Sequence, residues 1–257
     1  MASMAGRVVA QAHQLFVDEL TGLAADLCDP RLSAIAGSLT APLRVAVRGR
    51  RGVGRRSVAA ALAGAGVNVA APAEPSGDAD VDVYVVAEVV KPEDRTALAT
   101  SGRPVLAVLN KVDVSGVDVR VAAALGVPWV PMSALFALAG DHRRRLSGVD
   151  DVVARLTVLG AAVHHRRMTD AVTRLQALAV GDDRIDEFLT RDTTVTARMA
   201  AAEAVIAVHF PTSEPALRRA RRWHGYRNAP LDAGARACAA DIARGSLRLW
   251  AAGARVS

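Results

Sequence analysis

The feature that most constrains the fold is the stretch 43–57, LRVAVRGRRGVGRRS, in which an apolar strand runs directly into a glycine-rich turn. Gly49 and Gly54 have the glycine spacing of a phosphate-binding loop, G-x-x-x-x-G-K-[ST]. In such a loop, backbone N–H groups surround the phosphates and the N-terminus of the next helix faces them. The motif requires Lys and then Ser or Thr after the second glycine, but Arg55 and Arg56 stand there. The stretch predicts a strand, a turn and a helix with altered side chains at the phosphates.

Apolar runs alternate with helical patterns from about residue 43 to residue 138. Strands are predicted at 43–48, 82–87, 104–109 and 128–131, and helices at 57–65, 92–100 and 117–125. Continuous apolar runs separated by helices are typical of a parallel sheet that is covered on both faces. Ligands bind such sheets beyond the carboxyl ends of the strands. We therefore expect a shortened three-layer α/β domain.

Two further motifs follow apolar runs of this domain. The run at 105–109 is followed directly by Asn110-Lys111-Val112-Asp113. The run at 127–132 is followed directly by Ser133-Ala134-Leu135. Each motif alone is a weak match that also fits a simple strand-to-loop turn. The chain has 32 basic residues, and only Lys91 and Lys111 are lysines. Because arginine is used almost everywhere else, the lysine in the first motif is informative. Both motifs, in this order after a glycine loop, indicate a nucleotide-binding edge.

With these three motifs, region 41–140 resembles the translation-factor-type P-loop GTPases, and its opening looks most like bacterial dynamin-like and Era-like members. The resemblance implies that Asp113 accepts hydrogen bonds from guanine, that Lys111 lies over the base, and that 133–135 offers a backbone N–H to guanine O6. The guanine-binding residues that it implies are Asn110, Lys111, Asp113, Ser133, Ala134 and Leu135. The implied phosphate-binding residues are Gly49, Gly52, Gly54, Arg55, Arg56 and Ser57.

The chain departs from this family at the phosphates. The family's lysine reaches the β- and γ-phosphates, and the next Ser or Thr binds Mg²⁺. Arg55 keeps a positive charge, but its planar guanidinium is bulkier than an ammonium group. Arg56 cannot ligate a metal and would repel one, while Ser57 comes one position too late. We expect no metal site, and any GTP or GDP would bind without Mg²⁺; a closed pocket would bind neither.

The segment between Gly54 and Asn110 is too short for the family's two switch regions. A Thr-bearing switch I and a D-x-x-G switch II normally lie there, and the nearest relic is Glu74-Pro75-Ser76-Gly77. Phosphoryl transfer depends on positioning, on Mg²⁺ and on charge stabilisation. Without a metal ligand, switches or a water-positioning residue, we expect no catalytic residues and no turnover.

Helical patterns flank the α/β region. Helices are predicted at 6–27, 31–39, 148–163, 166–179, 182–190, 193–209, 214–225 and 232–252. Dynamin-like proteins pack an N-terminal helix against C-terminal helices, so the resemblance implies the same here. The expected organisation is an N-terminal helical segment at 1–40, a degenerate G domain at 41–140 and a helical domain at 141–257.

The net charge of +6 leaves several partners open. Arginine clusters at 143–145 and 218–222 suit a solvated face, an anionic membrane surface or a protein partner, whereas no nucleic-acid-binding signature is present. No apolar run is long enough for a membrane span or a signal peptide, which favours a cytoplasmic protein, with peripheral membrane binding left open. Cys28 and Cys238 are expected to be buried, reduced thiols.

Three functions are consistent with these patterns. The leading hypothesis is a non-catalytic pseudo-GTPase that regulates or scaffolds a partner, such as a competent dynamin-like GTPase in a hetero-oligomer. The second is a slow GTPase that a partner completes in trans. The third is a basic adaptor for anionic lipid or nucleic acid.

Overall fold

The computed structural model describes residues 4–71, 79–206, 214–226 and 228–254. These residues form two compact units. The helical unit combines Met1–Ala41 with Ala161–Ser257, and the α/β unit is Pro42–Gly160. The second division lies inside one helix, Val149–Ala179, and beyond the expected division at 140.

The elements follow one another in a simple order. Two helices, α1 (Met4–Leu27) and α2 (Pro30–Thr40), precede the α/β unit. The strands of that unit are β1 (Val45–Gly49), β2 (Val81–Val86), β3 (Val105–Asn110) and β4 (Trp129–Met132). Its helices are α3 (Arg55–Gly64), α4 (Pro92–Ala99), α5 (Val112–Ser115), α6 (Val119–Ala123), α7 (Ala134–Leu138) and α8 (Asp141–Arg144). The remaining helices are α9 (Val149–Ala179), α10 (Asp183–Thr190), α11 (Asp192–Ile206), α12 (Ala216–Tyr226) and α13 (Ala233–Ala254).

The four strands form one parallel sheet in the order β1-β2-β3-β4, which confirms the predicted α/β class. Every residue of β2 is buried, as expected for an inner strand covered on both faces. One core cluster joins Tyr84 and Val86 of β2 to Leu98 of α4 and Leu125. The register aligns Gly49 with Val85, so the glycine turn begins beside the end of β2.

A short extended segment borders β1 on its other side. Val69 forms an isolated parallel bridge with Val45, whose N–H donates to the Asn68 carbonyl and whose carbonyl accepts from Ala70. Between Gly54 and Asn110, the described residues therefore contain α3, this bridge, β2 and α4. The segment 74–77, considered above as a switch relic, lies outside the described residues.

Two helix predictions were wrong in detail. The helix predicted at 117–125 is present but shorter, as α6, and α5, which ends at Gly116 with φ 70°, was not predicted. The separate helices predicted at 148–163 and 166–179 are one helix, α9. Neither glycine nor proline occurs from 161 to 179, and the apolar face continues through Val163 and Met168.

The described residues of the helical unit include two apolar cores. One core joins α1, α2, α9, α10 and α11, and it includes the ring pair Phe16–Phe188, whose centroids are 5.3 Å apart. The other core joins α11, α12 and α13 around Trp223 and Ile242. None of the described helices has the length and apolar character needed to cross a membrane.

A buried polar group lies in the helical unit, and we call it the Asp241 cluster. Its members are His165, Arg198, Cys238, Asp241 and Arg244. Asp241 is 3.2 Å from His165 Nε2 and accepts hydrogen bonds from Arg198 at 2.6 Å and Arg244 at 3.1 Å. Burial opposes a charge on His165, but its hydrogen bonds to Asp241 and Cys238 raise its pKa to about 9.

The two cysteines lie in different environments. Cys238 is buried, and its Sγ is 3.5 Å from His165 Nδ1. Cys28 is exposed at the end of α1, where its φ of 50° belongs to the turn before Asp29. The prediction of a buried thiol was therefore wrong for Cys28, because the helix ends one residue earlier and this residue turns out of the core.

Candidate functional site

Three glycines give the loop after β1 its shape. Gly49, Gly52 and Gly54 have φ values of 139°, 88° and 89°, which residues other than glycine rarely adopt. A Cβ on Gly49 would lie 2.4 Å from the Val85 carbonyl oxygen. The start of the loop therefore packs directly against the backbone of β2, with no room for a side chain. Between the glycines, Val53 is buried and holds the loop against the domain.

The loop ends at an uncapped helix N-terminus. Gly54 is the N-cap of α3 and offers no side-chain hydrogen bond to it. The first helical residues Arg55, Arg56 and Ser57 are exposed, and their N–H groups belong to the turn that has no intrahelical acceptors. This end of α3 therefore combines a positive helix terminus with two exposed guanidinium groups, an arrangement that favours an anion.

The buried side chain of Asn110 joins the three sequence motifs. Its Nδ2 donates to the Val53 carbonyl at 2.9 Å, and its Oδ1 accepts from the Ala134 N–H at 3.0 Å. A Cβ on Gly54 would lie 2.4 Å from Nδ2, so the glycine makes room for this amide. Asn110 is 3% exposed, and it holds the glycine loop and the 133–135 segment at one edge of the sheet.

The other residues of the first motif stay accessible beside this edge. Lys111 has φ 66° and is the N-cap of α5, and Asp113 lies in the first turn of that helix. Both side chains are half-exposed. Their charges thus remain available to a ligand, in contrast to the buried amide of Asn110.

Most hydrogen-bonding groups of the 133–135 segment already have partners within the protein. Ser133 is buried, caps α7 through a hydrogen bond from the Phe136 N–H, and donates its own N–H to the Ser147 carbonyl. The Ala134 N–H is used by Asn110. The N–H of Leu135, in the first turn of α7, has no intrahelical acceptor, and the Leu135 side chain is 63% exposed. If this segment offers an N–H to a base, the candidate is that of Leu135.

Sequence reasoning missed a second buried group at the same edge. The Asp94 carboxylate is fully buried and accepts hydrogen bonds from Arg50 Nε at 2.9 Å, Tyr84 Oη at 3.0 Å and the Lys91 N–H at 2.8 Å. Arg50 also donates to the Val89 carbonyl at 3.2 Å. Burial, followed by the bond to Asp94, raises the pKa of Tyr84 to about 12. The only sequence signal is that Asp94 is the third residue of a predicted helix, a common capping position.

The donor set does not fit Mg²⁺. The structure places no group of three His, Cys, Asp or Glu side chains that could hold a metal anywhere in the described part of the chain. At the phosphate end of the site, the position of the usual hydroxyl ligand carries Arg56, and a guanidinium has no lone pair for a cation. The exposed N-terminus of α3 suits an anion instead, and the Asp113 side chain is accessible at the same edge of the sheet.

Comparisons with known proteins give weak structural likenesses. No protein-family model and no curated protein matches the chain. Among solved structures, a point variant of SsGBP gives a TM-score of 0.30 at 15% identity, over 59% of this chain and 70% of that one. A GTP-binding protein from the archaeon Sulfolobus solfataricus in complex with GDP gives 0.27 at 14% identity, over 52% of this chain and 62% of that one. The chain thus spans less than two thirds of the GDP-bound protein.

Proposed function

We propose that this chain is a guanine-nucleotide-binding pseudo-GTPase that acts by binding a protein partner. The observation that carries the proposal is the double hydrogen bond of Asn110 to the glycine loop and to the 133–135 segment. This amide assembles one edge on which the N-terminus of α3 would take the phosphates. Asp113 would accept from the base and the Lys111 side chain would cover it.

The phosphate side is suited to binding without a metal. Arg55 and Arg56 supply two positive charges where a lysine and a metal-ligating hydroxyl would otherwise stand. A guanidinium binds phosphate oxygens directly through two parallel N–H donors. The chain would therefore bind GDP or GTP with an affinity that does not depend on Mg²⁺.

Hydrolysis needs more than this edge supplies. A competent site positions a water and neutralises charge with Mg²⁺ as the phosphoryl group is transferred. The chain offers Arg56 in place of the metal ligand, and its short connection from α3 to β2 leaves little room for two switches. We therefore expect the nucleotide to serve as a structural ligand. A competent GTPase is the partner that a non-catalytic role favours.

The third hypothesis, a basic adaptor, has less support. Two arginines of the 218–222 cluster form ion pairs within the bundle, Arg219 with Glu203 at 3.0 Å and Arg222 with Glu214 at 2.6 Å. Their charges are therefore partly neutralised by neighbouring carboxylates. A membrane or nucleic-acid surface would have to rely on the remaining arginines.

Nucleotide binding is tested by calorimetry with GDP, GTP and ATP, each with Mg²⁺ and with EDTA. We expect GDP and GTP to bind equally well in both conditions and ATP to bind at least tenfold more weakly, which corresponds to about 1.4 kcal/mol. Asp113→Ala should abolish the preference for guanine, whereas Asp118→Ala, at an exposed position outside the motif, should leave it unchanged. Failure of the wild-type chain to bind either guanine nucleotide would overturn the proposal.

Hydrolysis is tested by phosphate release from GTP, with the chain alone and with a competent dynamin-like GTPase. We expect no release above background from the chain alone, and an altered rate from the partner GTPase. Release that disappears in both Arg55→Ala and Arg56→Ala would instead support the slow, partner-completed GTPase.

A further inference from the structure

We propose that Asp94 is the positioning residue of the glycine loop, holding it in its phosphate-binding shape before any ligand arrives. The inference rests on the proposed function only for the identity of the ligand. Asp94 lies in α4, whereas the loop follows β1, so the contact joins two separate parts of the α/β unit.

The glycine loop needs outside contacts to hold it in one conformation. Three glycines with positive φ values give this segment many alternative backbone states in the unfolded chain. Bound phosphates normally help to order such a loop, because their oxygens accept from its N–H groups. A loop that is shaped without phosphates needs another contact that selects one conformation.

Arg50 supplies that contact from within the loop. Its Nε lies 2.9 Å from both carboxylate oxygens of Asp94, and its Nη2 donates to the Val89 carbonyl at 3.2 Å. The guanidinium therefore bonds both to the first turn of α4, at Asp94, and to the β2–α4 connection, at Val89. This geometry fixes the first residue of the loop and pairs its charge with Asp94.

Asp94 is in turn held rigidly. Its side chain is fully buried, and it accepts from Tyr84 Oη at 3.0 Å and from the Lys91 N–H at 2.8 Å. A charged carboxylate in such a place is stable only when its hydrogen bonds are satisfied. Arg50 is the one cation within bonding distance of it among the described residues, so the loop and the carboxylate stabilise each other.

This arrangement also divides the arginines of the loop by role. Arg50 is committed to Asp94, whereas Arg55 and Arg56 are exposed at the start of α3. The phosphates of a bound nucleotide would therefore meet the two later arginines. Asp94 would influence phosphate affinity without touching the ligand.

Hydrogen exchange measured by mass spectrometry on the full chain tests the proposal without nucleotide. In Asp94→Asn we expect the amides of residues 49–57 to exchange at least tenfold faster than in the wild-type chain. Asp82→Asn is the matched control, because Asp82 is also buried on this sheet and pairs with Arg48 and Arg103. The control should change exchange in the same segment by less than twofold.

A second variant guards against misfolding of Asp94→Asn. Arg50→Lys keeps the charge but loses the planar fork and the bond to Val89, so exchange over 49–57 should rise about threefold. Unchanged exchange in both variants would overturn the proposal. Equal acceleration in Asp94→Asn and Asp82→Asn would also overturn it, because the effect would then be general destabilisation.

Ligand affinity gives a readout that a purely structural role would not produce. GDP should bind Asp94→Asn about tenfold more weakly, whereas guanosine, which lacks phosphates, should bind within twofold of wild type. Equal losses for both ligands would contradict a role confined to the phosphate side. If the wild-type chain binds neither ligand, the proposed function fails, and the exchange experiment still decides the role of Asp94.

Discussion

The two units of this protein bury their polar groups for different purposes. At the edge of the sheet, Asn110 and Asp94 bond to backbone groups of loops, at Val53, Ala134 and Lys91. The Asp241 cluster in the helical unit is held by bonds between side chains. A buried side chain that bonds to loop backbone dictates the shape of that loop, whereas a cluster of side chains sets how helices pack. By this criterion we expect a ligand to bind at the sheet edge rather than in the helical unit.

The largest effect at the sheet edge is expected for Asn110→Ala. It leaves the Val53 carbonyl and the Ala134 N–H without their partner in a buried place, so the α/β unit should lose about 3–4 kcal/mol of unfolding free energy. Guanine-nucleotide binding should disappear with it. Urea unfolding followed by Trp129 fluorescence measures the first effect, with the exposed Asn68→Ala as control. A loss below 1 kcal/mol would mean that Asn110 does not join the motifs.

The corresponding change in the helical unit is Asp241→Asn. Removing this charge leaves His165 and two arginines without their shared carboxylate, at a cost of about 3 kcal/mol in that unit. GDP affinity should stay within twofold of the wild-type value. Unfolding is followed by Trp223 in a Trp129→Phe, Trp250→Phe background. Asp192→Asn, which removes an exposed pair with Arg248, should cost less than about 0.5 kcal/mol. A change in GDP affinity would show that the cluster also serves the ligand edge.

Within the loop, glycine substitutions separate strain from steric conflict. Gly49→Ala meets the Val85 carbonyl oxygen at 2.4 Å and should cost about 2–3 kcal/mol of unfolding free energy. Gly52→Ala has open space and only the strain of φ 88°, so it should cost about 1 kcal/mol. Urea titration of both variants measures the difference. Equal costs would indicate that the contact between β1 and β2 relaxes easily.

The stability of the helical unit should peak near pH 6.5 because of two adjacent histidines. The pKa of His165 is raised to about 9, so its contribution is complete below 6.5 and is lost as pH rises through 9. Burial lowers the pKa of His164 to about 4, so its contribution is complete above 6.5 and is lost as pH falls toward 4. Each change should be on the order of 2 kcal/mol, measured by Trp223 fluorescence. Asp241→Asn should remove only the alkaline loss, and a flat profile would contradict both assignments.

Much of the fold was accessible from local patterns, because a covered parallel sheet requires apolar strands at regular intervals. β2, β3 and β4 lie within one residue of their predicted bounds, β1 begins two residues later than predicted, and α4 and α10 are also within one residue. The helices after β3 were less predictable. The one-turn helix α5 ends at Gly116, just before the predicted helix, and is too short to leave a periodic apolar pattern. The break predicted within α9 is absent, and His165, which lies at that point, is buried.

Local sequence patterns are enough to predict where the candidate site lies. Glycine spacing and the two motifs at strand ends are local, and the ends of parallel strands necessarily share one edge of the sheet. The contacts that hold this edge together are visible only in the folded structure. Asn110 reaches a loop 57 residues away, and Arg50 finds Asp94 across 44 residues. No local pattern encodes such a pairing, because it arises where two elements that are far apart in the chain bury their polar groups against each other.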